Sequence, residues 1–321
     1  MLAAYVESFS QDDPIQGLRV GELDVSPTEG FVPVTVKAAA LNHHDVFSLR
    51  GVGLSEEQLP MVLGTDGAGV DEDGNEVIIH GVIASPDWMG DETLDPKRSL
   101  LSERYPGTMA ETVWVPRRNL VPKPDFLSFA EAACLPVSWL TAYKMLFKVS
   151  PAAPGSTMLV QGAGGGVATA LIAMGRAAGY RVFATTRSER KAERARELGA
   201  LEVFGSGERL PERVDVVFDS VGQATWEHSI KSLKPGGTIV TCGSTSGQVA
   251  QTDLIRVFFT QLRILGSTMG TRADLEGLLG FLDVTGVRPL IEAEIPLADA
   301  RDGFESMING ELFGKVVFTL P

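Results

Sequence analysis

Cysteine is scarce. The 321 residues hold two, Cys134 and Cys242, too few and too far apart for a disulfide framework or a cysteine-rich zinc lobe. That usage suits a reducing compartment, and the expectation is a cytoplasmic protein. Positive charge is also short: 28 Lys and Arg face 41 Asp and Glu, a net charge of −13. Nucleic acids and anionic membranes both reward basic patches, so neither is expected as a partner. No apolar run approaches the roughly 20 residues that span a bilayer. No basic residue precedes Arg19, and a secretory signal is not expected. Internal repeats and low-complexity tracts are missing. What is there is 44% apolar residues, enough for more than one core, and two domains are expected.

The two halves follow different patterns. From Phe31 to about Val121, short β-like segments ("FVPVTVKAAAL", "EVIIHGVIA", "ETVWVP") are broken by Gly, Pro, Asp and Asn, which predicts a small antiparallel barrel or sandwich. The stretch "SPDWMGDETLDPKRSLLSERYPGT" has no period and reads as loop. After "VPKPDFLS" the segment "SFAEAACLPVSWLTAYKMLFKV" has helical spacing, with Ser128 as cap and Glu131 three residues on. Alternating units follow: "TMLVQG", "VATALIAMGRAAG", "RVFATT", "SERKAERARELGA", "VDVVFDS", "ATWEHSIKSLKPGG" and "TIVTCG". Strands alternating with helices predict a doubly wound parallel sheet.

Gly162, Gly164, Gly165, Gly166 and Val167 fall between the first of these strands and its helix. A dinucleotide pyrophosphate would there meet backbone N–H groups and the positive end of a helix dipole; glycines can also form a plain turn. The end of the next strand bears on which dinucleotide binds. A free ribose 2′-hydroxyl is usually held by a carboxylate about 20 residues past the first glycine. This chain instead has Thr185, Thr186, Arg187 and Ser188, followed by Arg190 and Lys191. Cations at that point suit a 2′-phosphate and favour NADPH, against the bland alternative of a solvated basic helix face.

A second glycine-rich stretch, "LGTDGAG", frames Thr65 and Asp66, and could be a metal-site remnant, a pair of working polar groups or a turn. Together with "VTVKAAALNHHDVFSLRG", "GTMAETVWVPRRNLVPKP", "EAACLPVSWLTAYKML", "MLVQGAGGGV", "SLKPGGTIVTCGSTSG" and the terminal "GKVVF", it resembles the medium-chain dehydrogenase/reductase superfamily. The resemblance covers nearly the whole chain and points to the zinc-independent quinone oxidoreductase, zeta-crystallin-like branch. It implies an α/β fold: a GroES-like β-barrel domain over residues 1–125, completed by 288–321, and a Rossmann domain over 126–287.

The resemblance also assigns roles. Zinc alcohol dehydrogenases carry His and Glu where this chain has Thr65 and Asp66, and ligand cysteines where it has Asn42 and Val137. No metal is therefore expected. The implied activity is NADPH-dependent reduction of quinones or α,β-unsaturated carbonyls, with His44, Asn42 and Asp66 at the catalytic centre. His44 matches a proton-relay position, His43 a cationic position by the pyrophosphate, and either could instead be a structural histidine. Lys315 aligns with a phosphate-contacting cation. Thr141, Thr186, Arg187, Lys191, Cys242, Gly243, Ser244, Ser267 and Met269 join the glycine turn as cofactor residues. The late Rossmann strand at 263–268 implies a homodimer. An alcohol dehydrogenase with an atypical metal site, or an idle NADPH-binding protein, are the competing readings.

Overall fold

A computed structural model describes residues 1–321. Two compact units result: Met1–Leu140 with Met269–Val284 and Ile291–Pro321, and Thr141–Thr268 with Thr285–Leu290.

The first unit is built on a seven-stranded sheet. Its spine is Val32–Ala40, which pairs antiparallel with Asp66–Asp71, Thr112–Val115 and the C-terminal strand Lys315–Thr319. Val317 lies opposite Ala40 and Phe318 opposite Ala39, so Lys315 falls beside the chain as it leaves the spine at Leu41 and Asn42. Alternating apolar residues on these strands, among them Val34, Val36, Ile79, Val316 and Phe318, close one buried core. A separate three-stranded sheet includes Leu2–Val6.

The second unit is a six-stranded, wholly parallel sheet. Its spatial order is Glu202–Gly205, Arg181–Thr186, Thr157–Val160, Val214–Asp219, Leu233–Thr241, Arg263–Gly266. In chain order that is 3-2-1-4-5-6, the dinucleotide-binding arrangement, whose ligand crevice opens where the strand order reverses, beyond the C-terminal ends of the first and fourth strands. The expected barrel-plus-Rossmann architecture is what the chain adopts.

Three local expectations change. The segment after Ser128 is not one regular helix. Ser128 and Glu131 do form the reciprocal cap, with Glu131 N–H donating to Ser128 Oγ at 3.1 Å and Ser128 N–H to Glu131 Oε2 at 2.8 Å. Pro136 has no N–H to give, and the chain passes Leu135–Trp139 in a wider π-type turn. The helix at Trp226 stops at Ser232, and "LKPGG" belongs to the following strand, because Pro and Gly break the helix there. The strand Glu202–Gly205, missing from the periodicity reading, is four residues long and pairs on one side only. No helix is long and apolar enough to cross a membrane.

Candidate functional site

The "LGTDGAG" frame is packed against other backbone. A Cβ at Gly69 would stand 2.1 Å from the Thr35 carbonyl oxygen, and Gly64 sits at φ +98° with Thr108 and Met109 closing on it. That close packing buries the two polar side chains between the glycines. Thr65 Oγ1 donates to the Leu101 carbonyl at 3.0 Å and lies 3.4 Å from Ser102 Oγ. Asp66 is fully buried, and both of its oxygens are taken: Oδ1 accepts from Val137 N–H at 2.7 Å, and Oδ2 from Asn42 Nδ2 at 2.8 Å and Lys315 Nζ at 2.9 Å.

Lys315 is as deeply buried as its partner. Its ammonium also donates to the Leu41 carbonyl at 2.8 Å and to Asn42 Oδ1 at 2.7 Å, so three acceptors take its three protons. The expectation that Lys315 contacts a cofactor phosphate is therefore corrected, since no proton is left for one. The antiparallel register with Val32–Ala40 explains the placement. Burial pushes the Asp66 carboxyl above the usual range, and the Lys315 charge and hydrogen bonds oppose that push.

Zinc asks for about four ligands of N, S or O type, with three from protein in a catalytic site. The donors here do not meet that demand. Asn42 and Asp66 are occupied by Lys315, Val137 offers an N–H instead of a thiolate, and Thr65 is tied to Leu101. No group of three or more His, Cys, Asp or Glu side chains is placed to hold a metal ion.

Asn42 also begins the helix His43–Leu49. Its backbone N–H donates to Asp45 Oδ2 at 2.8 Å, while Asp45 Oδ1 accepts from Gly64 N–H at 3.0 Å. The helix start is thus anchored to the same glycine frame. His43 is exposed, its ring tilted against Phe47. His44 turns the other way, with Nε2 3.1 Å from Glu103 Oε1, and its Nδ1 is buried with no bonded neighbour. Burial alone would lower the His44 pKa. The Glu103 hydrogen bond and the charges of Asp45 and Glu103 outweigh it and hold the pKa above the ordinary value. Asn42, Asp66 and Lys315 are in direct contact; His44 is linked to them only through the helix start.

In the parallel unit the glycine turn, Thr186, Arg187, Cys242, Gly243, Ser244 and Ser267 fall at or just past the C-terminal ends of strands, while Thr141 lies in the helix Leu140–Lys144. Gly162 and Gly164 take φ +72° and +132°, conformations that favour glycine, and Gly165 starts the twelve-residue helix Gly166–Ala177 with no side-chain cap. A Cβ at Gly165 would meet open space. The first N–H groups of that helix have no acceptor within it, so the turn fits a dinucleotide pyrophosphate. Thr186 ends its strand and exposed Arg187 follows. Lys191 lies in the next helix, its N–H on the Ser188 cap.

Cys242, Gly243 and Ser244 follow Leu233–Thr241; burial, with Asp219 nearby, pushes the Cys242 thiol up to about 12. Ser267 follows Arg263–Gly266, with its Oγ buried and unbonded, and Thr141 is buried. Met269 belongs to the other compact unit, at φ +47°.

Sequence reasoning missed Glu103 and gave His80 and His228 no role. His80 has neither ring nitrogen bonded, and burial, then the Arg272 charge, hold its pKa at about 4. His228 bonds Gln161. No local pattern marks Glu103, which lies 59 residues from His44 in a stretch without period.

A glycine turn on a 3-2-1-4-5-6 sheet, joined to a barrel-type unit, defines a dinucleotide-dependent dehydrogenase or reductase. Two family descriptions match the chain: an alcohol dehydrogenase GroES-like domain over residues 28–125 and a zinc-binding dehydrogenase domain over residues 166–283. The chain belongs to the medium-chain dehydrogenase/reductase superfamily, whose members are oxidoreductases that use nicotinamide cofactors. It is 30% identical to an alcohol dehydrogenase of Geobacillus stearothermophilus, over 99% of each chain. It is 31% identical to the acryloyl-coenzyme A reductase of Metallosphaera sedula, over 95% of this chain and 97% of that one. A crystal structure of an NAD-dependent alcohol dehydrogenase superposes with a TM-score of 0.90 at 35% identity, covering both chains completely. None of these three is named for quinone reduction.

Proposed function

We propose that this protein is an NADPH-dependent reductase of carbon–carbon double bonds conjugated to a carbonyl, or of quinones, and that it works without zinc. The observation that carries the reading is the Asp66–Lys315–Asn42 cluster, which occupies the side chains a metal would need. Without a Lewis acid, an unactivated ketone is hard to reduce. A conjugated acceptor is easier, because charge develops on an oxygen that hydrogen bonds can stabilise. Likeness to an acryloyl-coenzyme A reductase, and at 28% identity to a crotonyl-CoA reductase of Streptomyces collinus, supports an activated alkene as substrate.

The nicotinamide, when bound, supplies a hydride. Everything else falls to this chain. The turn Gly162–Val167 binds pyrophosphate through backbone N–H groups. Arg187 and Lys191 hold the 2′-phosphate that distinguishes NADPH. Glu103 accepts a hydrogen bond from His44 Nε2, which leaves Nδ1 as the nitrogen that would deliver a proton. Asn42 and Asp66 fix the helix start that carries His44, and do so with Lys315 as their cation.

The enzyme is proposed to be cytoplasmic and homodimeric. Arg263–Gly266 is an edge strand with Ile264 exposed, and Leu254, Ile255, Phe258 and Phe259, in the helix that precedes it in the chain, are exposed apolar residues. A second copy would cover them by edge pairing.

The test is an NADPH- and NADH-oxidation screen over enones, enoyl thioesters and quinones, with zinc measured on the same sample. Turnover of a conjugated acceptor by zinc-free protein is expected. Stoichiometric zinc that is lost together with activity would overturn the reading in favour of an alcohol dehydrogenase, the name two of the relatives carry. Tight NADPH binding with no turnover of any acceptor would leave an idle binding protein.

A further inference from the structure

A chain of buried polar side chains runs beneath the glycine turn. It begins at Asp219, the last residue of the strand Val214–Asp219. Asp219 Oδ1 accepts from the N–H groups of Val221 and Gly222 at 2.8 and 2.9 Å, and Oδ2 accepts from Thr225 Oγ1 at 2.9 Å and Ser229 Oγ at 2.7 Å. Gln161 Nε2 lies 2.9 Å from Ser229 Oγ and 2.9 Å from His228 Nδ1. Thr185 Oγ1 is 2.7 Å from Gln161 Oε1 and 3.2 Å from the N–H of Gly162, the first glycine of the turn. Asp219, Ser229, Gln161 and Thr185 are all at most 1% exposed.

Donor and acceptor chemistry gives this chain one direction. A carboxylate only accepts, so the Ser229 hydroxyl must donate to Asp219. Ser229 Oγ then accepts from Gln161, which fixes the amide with its nitrogen toward Ser229 and its oxygen toward Thr185. The Thr185 hydroxyl is thereby committed to Gln161, and its lone pair is turned to Gly162 N–H. On the side branch, His228 Nδ1 must accept from Gln161. Its proton is therefore on Nε2, which faces the Glu208 carbonyl at 2.8 Å. Every link agrees with its neighbours.

Asp219 reaches the turn by a second route. The Val221 side chain, on the loop that Asp219 fixes, would stand 2.7 Å from a Cβ at Gly162. The turn is held from below by Thr185 and flanked by Val221, in a left-handed conformation at φ +72° that favours glycine.

We infer that Asp219, Ser229, Gln161 and Thr185 form a one-way hydrogen-bond relay that positions the dinucleotide-binding turn, so that a carboxylate outside the turn sets cofactor affinity. The four are positioning residues. The inference rests on the reading that the turn takes a dinucleotide. Binding to a preorganised turn avoids the cost of ordering it, so a disturbed relay appears in affinity as well as in stability.

The test uses the full chain and a reversal of the relay. In Asp219→Asn, the new amide points a donor at Ser229, which already receives one from Gln161. In Gln161→Glu, two carboxylates compete for the single Ser229 proton. Each is expected to raise the NADPH Kd about tenfold, the effect of one unsatisfied buried group. Combining Asp219→Asn with Gln161→Glu lets the relay run backwards. The amide introduced at position 219 donates to Ser229, and Ser229 donates to the carboxylate introduced at position 161. At the side branch, His228 Nδ1 becomes the donor to that carboxylate. The Kd of this double variant should return to within about threefold of the parent, a coupling within the range for residues sharing one network.

Fluorescence titration with NADPH, alongside the melting temperature of the cofactor-free protein, reads both quantities. Single variants that melt lower but bind NADPH as the parent does would overturn the relay, as would a double variant no better than the singles. If Asp219→Asn does not fold, Thr185→Val and Thr185→Ser decide: only the serine should keep parental affinity, and equal affinities would sink the idea. Failure of the parent to bind NADPH or NADH would instead remove the dinucleotide reading, and the relay with it.

Discussion

Replacing Lys315 by Met tests the buried ion pair of the barrel-type unit. Methionine keeps most of the stem volume and removes three hydrogen bonds, to Leu41, Asn42 and Asp66. Asp66 keeps two donors, Asn42 Nδ2 and Val137 N–H, but its charge stays buried without a counterion. Removing one partner of such a pair costs about 3–5 kcal/mol. That is a large fraction of the roughly 5–15 kcal/mol that stabilises a typical domain. The sign of its pH dependence follows from Asp66. Its folded pKa is already raised by burial against the opposing Lys315 charge, and losing Lys315 raises it further. A group with a raised folded pKa contributes stability below its unfolded value, lost as pH rises through the folded one. The deficit of Lys315→Met should therefore be largest at about pH 8 and shrink toward about pH 5. Replacing Asp66 by Leu as well should recover part of the loss, since an apolar pair can stand in for a buried ion pair. Denaturant unfolding at two pH values measures both effects. A single variant within about 1 kcal/mol of the parent at the higher pH, the scale of the extrapolation error, would refute the ion pair.

Three further outcomes are expected. Arg187→Ala should lose about 10- to 100-fold of the NADPH preference over NADH, with the parent's preference shrinking at high salt; equal dissociation constants in the parent would end that assignment. His44→Gln should lower turnover about 100-fold or more while NADPH affinity holds, and the parental rate should fall as pH rises through a pKa above the ordinary histidine value, since the donor is the protonated form. A well-folded, fully active variant would remove His44 from the mechanism. The parent should sediment as a dimer at micromolar concentration and Ile264→Lys as a monomer; a monomeric parent contradicts edge pairing through Arg263–Gly266.

What the sequence made legible was local. The alternation of strands and helices, the glycine turn at 162–167 and the Ser128–Glu131 cap each depend on residues within one turn or one strand of each other. What it left hidden depends on register across long separations. Lys315 and Asp66 are 249 residues apart, Gln161 and His228 67. The family resemblance suggested a phosphate contact for Lys315, whereas a lysine is rarely buried without a partner. Yet the clue was present in two places. Lys315 opens the apolar strand "KVVFT", and Asp66 stands in a glycine frame that follows an apolar run. A charge set into either surrounding requires a partner of opposite sign. Each segment alone states the requirement, and only the antiparallel pairing of Val32–Ala40 with both Asp66–Asp71 and Lys315–Thr319 shows that they satisfy each other. The same logic holds for Asp219, whose carboxylate ends a strand of buried residues. Its need for donors, followed outward through Ser229 and Gln161, leads to the first glycine of the turn.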